Sequence, residues 1–257
     1  MSRIITLLTD FGTADGYVGE VKGMLLSLAP GTTLVDVAHD LPAGDVVAGC
    51  FVLGRMWRAF PEGTVHLAVV DPGVGSSRRA LAAEAGGQFF VAPDNGLLSD
   101  VLAAAPARVV NLAVPAGASR TFHGRDVFAP AAARLAGGAP LPDLGTPLSD
   151  PVHLEPAALV VEGSDVVGEV IHVDRFGTLI TNIPGDRVAR AATVKVAGRG
   201  FPLGATFADV PPAEPVAFVG SGGTVEIAVR DGRADVVLGL SRGAEVRATR
   251  GTSRAGT

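Results

Sequence analysis

Short apolar runs alternate with helix-spaced apolar residues through the first half of the chain. Ile4–Leu8, Val65–Val70 and Phe89–Ala92 have strand length and little polar interruption, the pattern of strands covered on both faces. Between them, Val18, Val21, Leu25 and Leu28 mark one helix face, and Val46, Val47, Cys50, Phe51 and Trp57 mark another. Leu97, Leu98, Val101 and Leu102 begin a third helix, and Phe128, Ala131, Ala132 and Leu135 line a fourth. This strand–helix alternation predicts an α/β domain over residues 1–155, with a mostly parallel central sheet. Gly and Pro crowd residues 137–156 and punctuate a boundary. Beyond it, Val166–Val173, Leu179–Ile183, Thr193–Val196, Val216–Val219, Thr224–Val229 and Glu245–Ala248 are short β-rich runs separated by turn residues. They predict a smaller antiparallel β-barrel-like domain over residues 163–250. Residues 250–257 are expected to be a disordered tail, and no internal repeat is visible.

Composition narrows the picture. The 257 residues carry a net charge of −5 and no Lys/Arg stripe, which argues against a nucleic-acid partner. The single cysteine, Cys50, excludes a disulfide framework and a cysteine-rich metal site, and its apolar helix face predicts a buried thiol. The N-terminal apolar run is too short for a signal peptide, and no run of about 18 apolar residues occurs to span a membrane. A soluble cytoplasmic protein is expected.

The segment from Val69 to Arg79 concentrates candidate chemistry. An apolar strand ends in the carboxylate of Asp71, a Pro/Gly-rich loop follows, and Arg78 and Arg79 close it. In open α/β sheets ligands bind at the carboxyl ends of strands, so this loop reads as a site; the alternative is a tight turn with a solvated Asp. Asp10 ends the first strand in the same manner, so two carboxylates could face one crevice. His123 precedes a predicted helix, and Gly124 beside it leaves room for a ligand, although a lone histidine is more often structural. Asp174–Thr178 and Gly220–Gly223 are either ordinary hairpins or ligand loops, and the unobstructed N–H groups of the second could cradle a carboxylate. The loop after Asp71 superficially matches the glycine-rich loop of S-adenosylmethionine methyltransferases. Ser77 stands where the third glycine belongs, however, and the loop follows a later strand. No phosphate-binding loop, nucleophile elbow or zinc-protease histidine pair occurs.

Taken in order, several motifs resemble one family. They are Leu7-Leu8-Thr9-Asp10-Phe11-Gly12, Val21-Lys22-Gly23-Met24-Leu25, Val70-Asp71 through Arg78-Arg79 and Ala92-Pro93-Asp94-Asn95-Gly96-Leu97-Leu98. Further along come Thr121-Phe122-His123-Gly124-Arg125-Asp126-Val127-Phe128, the run from Asp174 to Asn182, and Thr206-Phe207-Ala208-Asp209-Val210. The chain resembles the adenosine-forming S-adenosyl-L-methionine (SAM) hydrolases, also called SAM hydroxide adenosyltransferases, which are related to fluorinase and chlorinase. The resemblance runs from Ile4 to about Ala248.

That resemblance implies a reaction: SAM and water give adenosine and L-methionine, with water or hydroxide displacing methionine at the ribose C5′. SAM is then the substrate, and neither a cofactor nor a metal is implied, because the sulfonium leaves as a neutral thioether. The family's catalytic Asp, Arg and His map onto Asp71, Arg78 and His123, with Arg79 as the competing arginine and a surface position its alternative. Which of the three holds the proton stays open. Asp10 resembles the ribose-binding carboxylate and Asp174 the partner of the methionine ammonium. Phe122, Phe176 and Phe207 resemble aromatics of the substrate site, with a core role as the alternative for the last two. Ser221 and Gly222 resemble the cradle for the methionine carboxylate, and Glu226 and Val229 lie on the strand that contacts the amino acid and adenine. The family also implies a homotrimer with sites between subunits.

The chain departs from the family at three places. Thr178 stands where Asn is usual, Thr224 where an aromatic is usual, and Gly222 where a second Ser is frequent. Two rival functions remain. A halogenase on the same scaffold is disfavoured by His123, where the halide-using relatives carry Tyr. A non-catalytic SAM-binding protein would not need Asp71, Arg78 and His123 together.

Overall fold

Successive residues of the N-terminal strands bury on opposite faces of one sheet, which explains why their apolar runs do not alternate. In the computed structural model, which describes residues 4–189 and 192–249, the chain divides into two units, 1–154 and 155–257. The expected tail at 250–257 lies outside the described residues.

In the first unit β1 (Ile4–Thr9), α1 (Tyr17–Leu28), β2 (Thr33–Ala38), α2 (Val46–Met56) and β3 (Val65–Val69) come first. They are followed by β4 (Ala80–Ala85), β5 (Gln88–Pro93), α3 (Ser99–Ala104), β6 (Ala107–Leu112), α4 (Ala129–Ala136) and β7 (Gly145–Pro147). The sheet order is β2-β1-β3-β5-β4-β6-β7. The strands β2, β1, β3 and β5 run parallel, and β4, β6 and β7 extend the sheet antiparallel. Ile5, Leu7, Leu67 and Val69 pack with Val21 and Leu25 of α1 and Ala132 and Leu135 of α4. Leu8, Ala68 and Val70 pack on the other face with Leu53 of α2 and Val101 of α3. The predicted faces need two corrections: Leu28 is 53% exposed and Val47 40%, each at an edge of its apolar stripe. Cys50 is buried as expected; burial, with Asp100 beside it, raises its thiol pKa to about 11.

His66 is the second residue of β3 and is fully buried. Its Nδ1 meets the Thr6 hydroxyl at 2.8 Å, its Nε2 meets Gln88 Oε1 at 2.5 Å, and its ring stacks on Phe90. The amide oxygen only accepts, so a proton sits on Nε2. Burial lowers its pKa to about 4, with the Gln88 contact opposing. The unfolded chain therefore takes up this proton first as pH falls. Stability is full above the unfolded value near 6.5 and declines toward pH 4, by up to about 3 kcal/mol for this group. Urea unfolding at pH 7.5 and 4.5 should show a drop that His66→Gln reduces; equal drops in both proteins would refute the assignment.

The second unit contains β8 (Val160–Glu162), β9 (Asp165–Val173), β10 (Leu179–Pro184), β11 (Thr193–Val196) and β12 (Arg199–Pro202). After these come β13 (Pro215–Val219), β14 (Thr224–Val229), α5 (Ala234–Leu238) and β15 (Glu245–Thr249). Its strands pair antiparallel in the order β12-β11-β15-β9-β10-β14-β13, with β8 on β9. A bridge from Leu203 to Ala217, with the Gly204 N–H on the Ala217 carbonyl, brings the two ends of that order together. The result is a nearly closed barrel around Val166, Val170, Leu179, Val194, Ile227 and Val246. No described helix is long and apolar enough to cross a membrane.

Candidate active site

Strands β1 and β3 are hydrogen-bonded neighbours in which Thr9 faces Val69. Both run the same way, so Asp10 and Asp71 leave the sheet at the same carboxyl edge. Beyond Asp71 the loop turns on itself: the Val74 N–H reaches the Asp71 carbonyl and the Ser76 N–H the Gly73 carbonyl. These turns fold Arg78 back over Asp71. Its Nε donates to Asp71 Oδ1 at 2.8 Å and its Nη2 donates to Oδ2, a bidentate ion pair. Both side chains are nearly buried, at 10% and 5% exposure. The guanidinium also lies 5.1 Å from the centre of the Phe128 ring.

His123 completes the cluster, with its Nδ1 3.1 Å from Arg78 Nη2. Arginine has no acceptor, so Nδ1 offers its lone pair and a neutral ring carries its proton on Nε2. Burial and the Arg78 charge hold the His123 pKa below its ordinary value, with Asp71 and Asp126 opposing. The residue sits just before a π-helical turn, Gly124–Phe128, that leads into α4. Asp126 accepts from the Ser119 N–H at 2.8 Å and from Arg125, which also reaches Glu20.

The Phe122 ring meets the edges of Phe11 and Tyr17 and lies under the Arg125 guanidinium. Phe11 and Tyr17 escaped the sequence reading, although Phe11 stands inside the first motif. The space beside Gly124 is not open to a ligand as expected, because a Cβ there would meet the Phe11 ring at 3.1 Å. Asp10 Oδ2 accepts the Gly44 N–H at 2.7 Å, and its unused lone pairs suit a diol. Arg79 turns away from Asp71: it pairs with Asp94 at 2.6 Å and Asp150 at 2.8 Å, and is half-buried rather than a free surface residue.

In the second unit a cavity of about 640 Å³ collects most of the remaining candidates, namely Asp174, Phe176, Thr178, Phe207, Glu226 and Val229. That volume is in the range of small-molecule sites. Asp174 organises its rim, since its Oδ1 accepts the N–H groups of Phe176 and Thr178 at 2.9 and 2.8 Å. Gly177 between them has φ +82° and packs against Arg233, where a side chain would collide. Phe176 is 77% exposed, and Phe207 stands edge-on to Phe218. Thr178 and Glu226 are buried. Arg230 and Asp231 also line the cavity; sequence reading missed them because no motif contains them.

Ser221 and Gly222 lie outside the lining. The Gly220 and Gly223 N–H groups donate to Thr224 and Gly220 carbonyls. Two donors expected for a carboxylate cradle are thus used by the hairpin itself.

Comparison with known proteins adds a second line of support. Residues 5–145 match the SAM hydroxide adenosyltransferase N-terminal domain, and residues 168–247 match the C-terminal domain. The chain is 44% identical to (R)-S-adenosyl-L-methionine hydrolase of Thermus thermophilus, covering 95% of this chain and 99% of that one. Fluorinase of an Actinoplanes species is 31% identical over 88% of this chain and 90% of its own. A solved structure of an uncharacterized conserved protein from Thermotoga maritima superposes with a TM-score of 0.89 at 36% identity, covering 96% of this chain and all of that one.

Proposed function

Because the chain belongs to the SAM hydroxide adenosyltransferase family, we propose that it hydrolyses S-adenosyl-L-methionine to adenosine and L-methionine by direct attack of water on the ribose C5′. The Asp71–Arg78–His123 contact is the observation that carries this reading. Water forms the new C5′–O bond as the C5′–S bond breaks, and both electrons of that bond pass to sulfur. The sulfonium becomes the neutral thioether of methionine, and one proton is released. Asp71 accepts a hydrogen bond from the attacking water and aims it along the C–S axis. Arg78 locks the carboxylate and supplies positive charge beside the oxygen as it gains hydroxide character. His123 stays neutral and accepts from Arg78 Nη2, the same nitrogen that donates to Asp71 Oδ2. Such positioning is worth about 7–11 kcal/mol in well-oriented systems.

Asp10 takes the ribose hydroxyls, Asp174 takes the ammonium of methionine, and Phe122, Phe176 and Phe207 pack on the substrate. Glu226 and Val229 contribute from β14. The relatives are named for the (R) form of the substrate, and this site is expected to share that preference for one sulfonium configuration. A homotrimer with sites between subunits and turnover without metal or cofactor complete the reading on the family resemblance, and a cytoplasmic location is carried over from the pattern of the sequence. Turnover in ¹⁸O-water tests the reaction. Heavy oxygen at the adenosine 5′ hydroxyl supports direct displacement, and unlabelled adenosine or methylthioadenosine sinks it. Chelator should not slow the reaction, and light scattering should give three chains per particle.

Thr178 is buried against the cavity where the family usually has Asn. If the base edge lies there, Thr178→Asn should tighten adenosine binding by about one hydrogen bond, ~0.5–1.5 kcal/mol. Calorimetric titration of both proteins decides it. Equal or weaker binding by the Asn protein would make Thr178 a tolerated replacement.

A further inference from the structure

The Ala92–Leu98 motif takes no part in the chemistry above, yet it touches the catalytic loop at both ends. Asn95 Nδ2 donates to the Val70 carbonyl at 2.8 Å, immediately before Asp71. The Leu97 N–H on Asn95 Oδ1 fixes which way that amide points. At the other end the Asp94 N–H donates to the Arg79 carbonyl at 3.0 Å. That same carbonyl accepts Arg78 Nη1 at 3.1 Å.

The Asp94 carboxylate, whose side chain is 1% exposed, takes Arg79 Nε at 2.6 Å on one oxygen and the Val152 N–H at 2.7 Å on the other. Arg79 also grips the carboxylate and carbonyl of Asp150. Adjacent residues of one turn therefore hold the first and last positions of the loop from 70 to 79. The Arg79 carbonyl, held by the Asp94 N–H, is the one on which the Arg78 guanidinium rests.

We propose that the Asp94–Asn95 turn, with Arg79, is a positioning clamp that sets the distance and angle between Asp71 and Arg78 for attack. This rests on the hydrolase reading of that pair. Neither Asp94 nor Asn95 touches substrate; both act through the loop. Asp94→Asn keeps the shape and the backbone donor but removes the charge that holds Arg79. Asn95→Asp keeps the Leu97 contact, removes the donor to Val70 and sets a carboxylate oxygen against that carbonyl.

Each variant is expected to lower kcat about 10- to 100-fold, the scale of a small misplacement of reacting groups, with KM for SAM little changed. Turnover is to be expressed per adenosine-binding site measured by calorimetry, so that a smaller folded fraction does not count as lost catalysis. The histidine side-chain ¹⁵N spectrum provides a readout independent of turnover, because His123 Nδ1 accepts from Arg78. Its signal should move in both variants. Unchanged kcat per site, or a loss shared equally between sites and turnover with an unmoved His123 signal, overturns the clamp. If the wild-type protein makes no adenosine, the hydrolase reading fails separately. The His123 signal then decides the clamp by itself, moved in its favour and unmoved against it.

Discussion

Alanine at Asp71 is expected to lower turnover about 10²–10⁴-fold, the range for losing a positioned proton acceptor, with far less effect on adenosine affinity. Asp71 acts on the water and not on the nucleoside, so the loss belongs in kcat. The substitution has a second consequence. It leaves Arg78, only 10% exposed, without its carboxylate, and breaking a buried pair in this way costs about 3–5 kcal/mol of stability. Asp71→Asn separates the two effects, because it keeps the shape and one acceptor. Single-turnover kinetics and adenosine calorimetry on both variants make the measurement. His123→Ala should also lower kcat, and the Asp71/His123 double variant should be little worse than Asp71→Ala, since the groups act as a unit. Turnover by Asp71→Ala at the wild-type rate would end the mechanism.

Gly75→Ala should be the most damaging exchange of a glycine in the catalytic loop. Gly75 has φ +76°, and a Cβ there would run into the carbonyl oxygen of Arg120. The left-handed backbone costs a side chain about 1–2 kcal/mol, and overpacking adds about 1–3. Arg120 is backbone three residues before His123 and cannot swing aside, so relief separates the Asp71 loop from His123. Stability and turnover should therefore fall together. Gly23→Ala is the control: the added Cβ meets nothing within 4 Å on α1, and the exchange should be neutral or stabilising. A Gly75→Ala protein with wild-type urea midpoint and kcat would show that the loop approach is not required.

Some of the fold was illegible in the sequence for specific reasons. Strand β4, Ala80–Ala85, sits between β5 and β6, yet its alanine-rich run has low strand propensity and no alternation. Long-range pairing on both sides overrides that preference. Strands β2 and β6 were likewise passed over, because their half-buried residues make no continuous apolar run. Six of the barrel strands were easier to read, since turn residues delimit them, whereas the short β8 and β12 carried no such signal. The Gly220–Gly223 hairpin could be read as a turn or as a ligand cradle, and the Gly220 and Gly223 N–H groups serve the turn itself.

By itself the sequence determined the α/β-then-β order, the motifs that place the chain in its family, and the residue types available for chemistry. Each follows from local pattern: apolar period, turn residues, and short runs read in order. Tertiary structure decided which of two adjacent arginines stands beside Asp71. Successive side chains leave an extended segment on opposite sides, and only the distant positions of Asp94, Asp150 and His123 assign each side a partner. It also decided the tautomer of His123, because that depends on a donor 45 residues away in the chain. Contacts between residues far apart in sequence leave no local period to read, and the roles of Asp94 and Asn95 belong to that class.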